Sequence, residues 1–440
     1  MLDIQVKSAR SALKYRRECE VGDFSTADDR RQKHPLNVYV LGNKIFLVIG
    51  CGHLPTFRQG SATDFRRLSG MKKILFLFNA KAIKLRQVLL DDFSKEGYEC
   101  YCALPKDDVA FWSEKYPQIH FVPFNNFSGT SVGIADNLKT YFKIKNLIKQ
   151  IRPDIVFLGN VKPNIYGGIA AHKCGIKHIY GLVSGLGYAF IDEPGLKRAI
   201  VKHICTFLYK LGFKHASHVF IQNPDDRNLF IEKHIIREDK SSVVPGTGVD
   251  LKLFCPQPFP QQLTFLMAAR LIKEKGVFHF VEAAKALKQK YPQVRFVLGG
   301  NIDTNPSAIT KAQLEECSQF VDYIGYVEDM AEALEKCSVF VYPSYYREGI
   351  PRALLEACAC GRPVITTDGV GCREAVVDGE NGYKIPVKST RCLVEAMEKF
   401  IVNPEIIPIL GQKGRALAEN KFEIHRVNRQ IIGVVESGLK

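Results

Sequence analysis

Two glutamates stand with seven residues between them in the densest chemical cluster of the chain, Ser344-Tyr-Tyr-Arg-Glu348-Gly349-Ile350-Pro351-Arg-Ala-Leu-Leu-Glu356-Ala-Cys-Ala-Cys-Gly361-Arg-Pro363-Val. Pro351 suits the first turn of a helix, where its missing N–H costs nothing. Gly361 and Pro363 suit its end. Such a helix presents unpaired N–H groups and a partial positive charge at its start, which favours a phosphate or a sugar held beside one. Glu348 then falls on the loop and Glu356 about a turn and a half into the helix. Both can face one ligand, and carboxylates bind vicinal hydroxyls such as those of a sugar or a ribose. Taken alone, the pair is better explained as a dipole partner and a solvated helix residue.

A second cluster, Ala268-Ala-Arg270-Leu-Ile-Lys-Glu-Lys275-Gly276, sets two cations five residues apart after an apolar run. Two phosphates and a departing diphosphate need such a clamp. Three glycine turns accompany it: Tyr323-Ile-Gly325-Tyr326-Val327, Pro245-Gly246-Thr-Gly248-Val-Asp250, and Gly181-Leu-Val-Ser184-Gly185-Leu-Gly187-Tyr-Ala-Phe190-Ile-Asp192. Glycine lets backbone approach a ligand closely, and each is also compatible with an ordinary turn.

Alternating elements must position these residues. From Met71 the spacing predicts strands over 74–79, 99–104, 120–122 and 154–158, with helices over 82–96, 110–115, 136–151 and 168–174. A second run predicts strands over 219–221, 242–244, 264–268, 294–298, 323–324, 339–342 and 364–366, with a helix over 225–233. Such βαβ alternation implies parallel sheets covered by helices on both faces. The expectation is an α/β chain of two doubly wound units, 71–245 and 246–440, facing across a cleft, with the last helix crossing back. Residues 1–70 lack this pattern outside 37–49. They are expected to be an extension without regular structure, or to lie upstream of the true start at Met71.

The Glu348 and Glu356 cluster resembles the signature of the family 4 retaining glycosyltransferases, whose fold is GT-B. The resemblance runs from about Met71 to the C-terminus. It implies that Glu348 contacts the transferred sugar and Glu356 the ribose hydroxyls of the donor. It gives Arg270 and Lys275 the nucleotide diphosphate, Tyr326 and Val327 the base, and Gly349, Ile350 and the neighbours of Pro351 the donor hydroxyls or phosphate. Gly246 and Gly248 match the family's interdomain turn. The loop holding Ser184, Gly185 and Gly187 is similar to that of bacterial polysaccharide transferases, among them N-acetylgalactosaminyltransferases acting on lipid-diphosphate-linked diacetylbacillosamine. Lys162-Pro-Asn-Ile-Tyr-Gly167, Gly299-Gly-Asn-Ile-Asp-Thr-Asn-Pro306 and Gly371-Cys-Arg-Glu-Ala375 match as well. Two departures stand out. Asn79-Ala80 replaces a glycine pair that many members carry after the first strand, and Ser184-Gly185 stands where many carry a histidine. Ser184, Gly185, Gly187 and Asn79 are expected to form an acceptor or donor loop, and the departures leave the front unit's donor-phosphate contact and any histidine role open.

Composition narrows the surroundings. Lys and Arg number 12 against 7 Asp and Glu in 1–70, 25 against 16 in 71–245, and 24 against 23 in 246–440. The front half is basic, which suits anionic lipid or phosphorylated substrates. No nucleic-acid motif or regular aromatic–basic interleaving is present. The 13 cysteines show no CxxC spacing, so no zinc or redox pattern appears and free thiols are expected. No apolar run reaches the roughly 18 residues a membrane span requires. Residues 196–214 nevertheless set Leu196, Ile200, Ile204, Phe207 and Leu211 on one helical face beside Lys197, Arg198, Lys202, Lys210 and Lys214. Such a helix can lie on an anionic membrane or face a core.

Together these imply transfer of a hexose, an N-acetylhexosamine such as GalNAc, from a UDP-sugar to a polyprenyl-diphosphate-linked glycan. The site would be peripheral to the inner face of the bacterial cytoplasmic membrane. No metal or other cofactor is expected, because the two cations replace one and no Asp-x-Asp signature lies where a donor would sit. Two other readings keep the fold. A UDP-sugar 2-epimerase would need a carboxylate pair in the front unit. A non-enzymatic membrane-associated scaffold would tolerate loss of Arg270, Lys275, Glu348 or Glu356.

Overall fold

The computed structural model describes residues 6–7, 36–41, 44–49, 71–125, 134–187, 190, 195–303 and 307–440. The chain divides into two compact units, Met1–Gly70 and Met71–Lys440. In the first, strands β1 (Val6–Lys7), β2 (Leu36–Leu41) and β3 (Lys44–Ile49) form a three-stranded sheet, with β2 and β3 an antiparallel hairpin. The rest of 1–70 lies outside the described residues.

The second unit holds two parallel sheets. Strands β4 (Lys73–Leu77), β5 (Glu99–Leu104), β6 (His120–Pro123), β7 (Ile155–Gly159), β8 (His178–Val183), β9 (His218–Ile221) and β10 (Ser241–Val243) form the front sheet. Its order is β10-β9-β8-β7-β4-β5-β6. Strands β11 (Thr264–Ala268), β12 (Arg295–Gly299), β13 (Asp322–Tyr323), β14 (Val339–Tyr342), β15 (Val364–Thr367) and β16 (Gly382–Ile385) form the rear sheet, ordered β13-β12-β11-β14-β15-β16. The central strands β4, β7, β11 and β14 read as almost unbroken apolar runs because both faces are buried under helices.

Around the front sheet run α1 (Ala80–Lys95), α2 (Lys106–Lys115), α3 (Ile134–Ile151), α4 (Gly168–Lys173), α5 (Leu196–Phe213) and α6 (Pro224–Glu232). Around the rear sheet run α7 (Val277–Lys290), α8 (Lys311–Cys317), α9 (Met330–Glu335), α10 (Arg352–Ala359), α11 (Thr390–Val402) and α12 (Ile406–Leu417). The last helix, α13 (Ile424–Ser437), returns to the front sheet. Its Ile431, Ile432 and Val435 join the core beneath β4 and β8, and Tyr180 Oη donates to Val435 O at 3.2 Å.

Strand order reverses between β4 and β7 in front and between β11 and β14 behind. Open α/β sheets bind ligands at the carboxyl ends of strands flanking such a reversal. Asn79 and Asn160 follow β4 and β7, while the Arg270–Lys275 and Ser344–Glu348 segments follow β11 and β14. The flagged residue groups, except the base loop after edge strand β13 and the Gly246–Gly248 turn after edge strand β10, thus leave a strand next to a reversal or the strand beside it.

Three differences from the sequence reading concern this frame. Two strands were not expected: edge strand β16, since Gly382-Tyr-Lys-Ile carries too little apolar signal to stand out, and β8, whose Gly181-Leu-Val was assigned to the glycine loop. The helix expected over 110–115 begins four residues earlier, because Pro105 precedes it and Asp107 and Asp108 favour a first turn.

Candidate active site

Lys275 ends a short helical turn and is almost wholly buried. Its Nζ donates to Glu348 Oε1 at 2.5 Å and to Tyr342 Oη at 2.7 Å. Ser344 Oγ donates to the same Glu348 oxygen at 3.2 Å. Two expected partners of one ligand are therefore paired with each other, with one glutamate oxygen left outside these contacts. Burial, then the adjacent Glu348 charge, pushes the Tyr342 phenol well above its ordinary range, so Tyr342 stays a neutral donor or acceptor. Arg270 is more exposed. Its Nη1 reaches Asp303 Oδ2 at 3.2 Å, and its guanidinium lies 5.6 Å from the Tyr346 ring centre.

The Glu348 turn is clamped by the front sheet. Gly349 N–H, expected at the ligand, instead donates to Ser184 O at 2.9 Å. Gly187 N–H donates to Arg347 O at 2.9 Å, and Asn223 Nδ2 to Glu348 O at 3.1 Å. Two glycines make this approach possible. Gly185 has φ +113° and a Cβ there would strike Gly349 N and the Glu348 backbone; Gly371 has φ +82° and a Cβ would strike the Glu348 and Gly349 carbonyls. Any side chain at either position displaces the glutamate.

An interdomain ion pair reinforces the clamp. Arg347 Nε lies 2.8 Å from Oδ1 of the fully buried Asp226. Asn223 caps α6 by accepting from Asp226 N–H at 2.7 Å and also donates to Asp226 Oδ2 at 3.0 Å. Burial raises the Asp226 pKa, and the Arg347 charge offsets that rise only in part. The sequence reading missed this pair. Asn223-Pro-Asp-Asp226 is legible as a helix start, but nothing local links Asp226 to a residue on another sheet.

Glu356 is 7% exposed within α10, and Arg352 Nε donates to its Oε1 at 2.6 Å. Burial raises the Glu356 pKa, with Arg352 opposing. Gly246 packs against Ile350 and Leu355 beside this glutamate, while Gly248 packs against Ile424 at the start of the returning helix. Ile350 is buried, and Pro351 precedes α10 as expected. Tyr326 and Val327 lie at the carboxyl end of β12, where Val327 abuts Gly299 and Gly300 N–H donates to Gly325 O at 2.7 Å. They also border a cavity of about 640 Å³ on the α9 side, which contains neither glutamate nor either cation.

The front sheet supplies a cavity of about 500 Å³. Its polar lining includes Asn79, Asn160, Asn164, Ser184 and Gly185; its apolar lining includes Val161, Val201, Ile204 and Leu208. Asn160 sits at φ +72°, left-handed backbone that asparagine tolerates, directly after β7. Asn164 is buried in a wide helical turn, donates to Leu182 O at 2.9 Å and leaves its Oδ1 without a partner. Of the lining residues on α5, Val201 and Ile204 belong to an uncovered face: Ile204 is 53% and Phe207 60% exposed, with Ile200 and Leu211 also exposed, while Leu208 packs on the core. Tyr209 and Phe213 take the core side instead. The side chains of Leu196, Lys197 and Arg198, and residues 188–189, 191–194 and 304–306, lie outside the described residues.

Among the described residues no three His, Cys, Asp or Glu side chains gather as a metal site, and no helix is long and apolar enough to cross a membrane. Cysteines 100, 102, 174, 205, 255, 317, 337, 358, 360, 372 and 392 are free thiols.

Comparisons with known proteins agree with this architecture. The family described as Glycosyl transferases group 1 matches residues 255–417, and that described as Glycosyl transferase 4-like matches residues 73–223. The chain is 32% identical over 351 residues to the N,N'-diacetylbacillosaminyl-diphospho-undecaprenol alpha-1,3-N-acetylgalactosaminyltransferase of Campylobacter jejuni, covering 76% of this chain and 90% of that one. It is 25% identical over 309 residues to an Escherichia coli UDP-Gal:alpha-D-GlcNAc-diphosphoundecaprenol alpha-1,3-galactosyltransferase, covering 67% and 78% respectively. The crystal structure of Anabaena HepE in complex with UDP superposes with a TM-score of 0.67 at 18% identity, over 83% of this chain and all of that one. The two matched families fall on the two sheets that meet at Glu348, and the C. jejuni likeness spans both, so the chain belongs to the glycosyl transferase group 1 and 4-like family and is a glycosyltransferase of GT-B fold.

Proposed function

We propose that this enzyme transfers an N-acetylhexosamine, such as GalNAc, from a UDP-sugar to a polyprenyl-diphosphate-linked glycan, with retention of configuration. The observation that carries the reading is the front cavity. It opens beside Gly185, next to the Glu348 turn, on asparagine and serine groups suited to sugar hydroxyls. Its lining also includes Val201 and Ile204 of the exposed apolar face of α5. An acceptor with a polar glycan and an apolar lipid matches both kinds of lining. The acceptors in the names of the C. jejuni and E. coli relatives have that composition.

In this reading Lys275 and Arg270 hold the donor diphosphate, Glu356 the ribose and Glu348 the transferred sugar. Tyr326 and Val327 border the base. The bond from the sugar's anomeric carbon to the diphosphate oxygen breaks, and the acceptor oxygen bonds to that carbon from the same face. The acceptor proton passes to the departing phosphate oxygen. Charge grows on the diphosphate, and preorganised cations in a water-poor site stabilise such charge most. Lys275 must share its three N–H donors between Glu348 and phosphate, which couples donor arrival to release of the glutamate. The reaction uses no metal, the two cations supplying the positive charge. The basic, apolar face of α5 rests on the anionic inner face of the cytoplasmic membrane, where the acceptor lipid is held.

The test is UDP release by the full chain with a polyprenyl-diphosphate glycan, across a panel of UDP-sugars and in chelator. We expect release with one N-acetylhexosamine donor, dependent on acceptor, insensitive to chelator, and reduced about 100-fold or more in Lys275→Ala and Glu348→Ala, the usual scale for a transition-state contact. Release that ignores the acceptor would replace this reading with epimerisation or hydrolysis.

A further inference from the structure

Arg86 on α1 is 3% exposed, yet no carboxylate pairs with it among the described residues. Its Nη2 makes one long contact, 3.5 Å to Ser184 Oγ, and its Nη1 has no partner. The charge acting on it is another cation, Arg352 of α10 on the rear sheet. A buried guanidinium without a counter-charge is costly, and natural proteins rarely keep one. Burial, then Arg352, lowers its pKa to about 9, so the group remains cationic at neutral pH.

A second donor lies at the same seam. Gln222, 2% exposed, directly follows β9 and has no partner for its Nε2. Its Oε1 occupies the space a Cβ on Gly349 would need. Ser184 links the two: its hydroxyl meets Arg86, and its carbonyl accepts from Gly349 N–H. Two buried, unpartnered donors therefore flank the contact that fixes the Glu348 turn, at the carboxyl ends of the front strands. Unsatisfied buried donors at a cleft point to an absent acceptor, and a guanidinium selects an oxyanion with several oxygens.

We propose that Arg86, assisted by Gln222, is the front domain's diphosphate contact. The inference rests on the transferase reading only in taking a diphosphate as a substrate group. That chemistry has two sources, the nucleotide diphosphate of the donor and the lipid diphosphate of the acceptor. The position also answers the departure at Asn79-Ala80: a cation one helical turn and a half further along α1 supplies a front contact that glycine N–H groups do not.

The test compares the full-length wild type with Arg86→Gln and Arg86→Lys by calorimetry. The probes are UDP, uridine, inorganic pyrophosphate, and farnesyl diphosphate beside farnesol. A charge-assisted contact of this kind corresponds to about a 10- to 100-fold change in affinity. Arg86→Gln weakening pyrophosphate and UDP on that scale, with uridine unchanged, establishes the donor as the source. Weaker binding of pyrophosphate and farnesyl diphosphate, with UDP and farnesol unchanged, establishes the acceptor. Arg86→Lys keeps the charge but loses the fork and should fall between. Should Arg86→Gln fail to fold, Arg86→Lys carries the test on the same probes. Wild-type affinity for every diphosphate in a folded variant overturns the proposal and makes Arg86 a hydrated structural cation. Pyrophosphate binding that depends on Arg86, in a wild type that transfers no sugar, would sink the transferase substrates proposed above and leave this site standing.

Discussion

At the scale of single residues, burial is what separates Glu356 from an ordinary helix glutamate. Its raised pKa means that the proton returns at a higher pH than for a solvated carboxyl. As pH falls through that raised value the carboxylate proposed to bind the ribose is neutralised, so kcat/KM for the donor should fall. Glu356→Gln is already neutral, and its lower kcat/KM should lack this acid limb. The stability sign is opposite. A carboxyl whose pKa is raised by folding contributes stability below its unfolded value and loses it as pH rises through the folded one. Acid should therefore cost activity before it costs fold through this group, and pH profiles of rate and melting temperature measured side by side check this. An acid limb retained in Glu356→Gln would assign it elsewhere. Glu348, Glu356, Arg270 and Lys275 were legible because spacing within short segments encodes them. Arg86 and Asp226 were not, because only tertiary structure reveals a buried charge with no partner or a distant one.

At the scale of elements, alternation of apolar runs made most of both sheets legible, while β8, β16 and several helix ends were not. The period of α5 correctly gathers Ile200, Ile204, Phe207 and Leu211 on one face, but periodicity alone cannot say whether a face meets core or solvent. The structure answers by giving the core side to Tyr209 and Phe213, and α5 is pressed against α4 where a Cβ on Gly168 would strike Gly212 O. The outer face thus carries apolar side chains with Lys202 and Lys210 beside them. A face of this kind binds anionic bilayers through apolar burial and charge together. Ile204→Ser with Phe207→Ser should reduce sedimentation with vesicles containing anionic lipid by about tenfold, since each fully buried large apolar side chain contributes about 1.5–3 kcal/mol and these would be only partly buried. Melting temperature should hardly change, because both residues already face solvent. Unchanged vesicle binding would remove α5 from the membrane reading.

At the scale of the whole molecule, the two sheets act as one site only while the Glu348 turn stays seated on the front domain. Its seat consists of backbone bonds from Gly349 and Gly187, the Asn223 bond to Glu348 O, and the Arg347–Asp226 pair. The returning helix makes a second tie, where Asn428 Nδ2 donates to Asp92 Oδ2 at 2.7 Å and His425 Nδ1 lies 3.0 Å from the same carboxylate. The returning helix is thus tied to the front domain as well, but only the first tie holds Glu348, the residue proposed to meet the donor sugar. Removing one partner of a buried pair strands the other charge, at a cost of about 3–5 kcal/mol. Asp226→Ala and Arg347→Ala should each melt at lower temperature and lose about 10-fold or more in kcat, because a misplaced carboxylate of even 1 Å is expensive in rate. The double variant should recover part of both losses, with a coupling of about 1–3 kcal/mol between residues in contact. Additive losses in that cycle would mean that the pair does not seat the turn. Coupling in stability without coupling in kcat would confine it to holding the domains together. Coupling in both makes domain closure and the placement of Glu348 the same event.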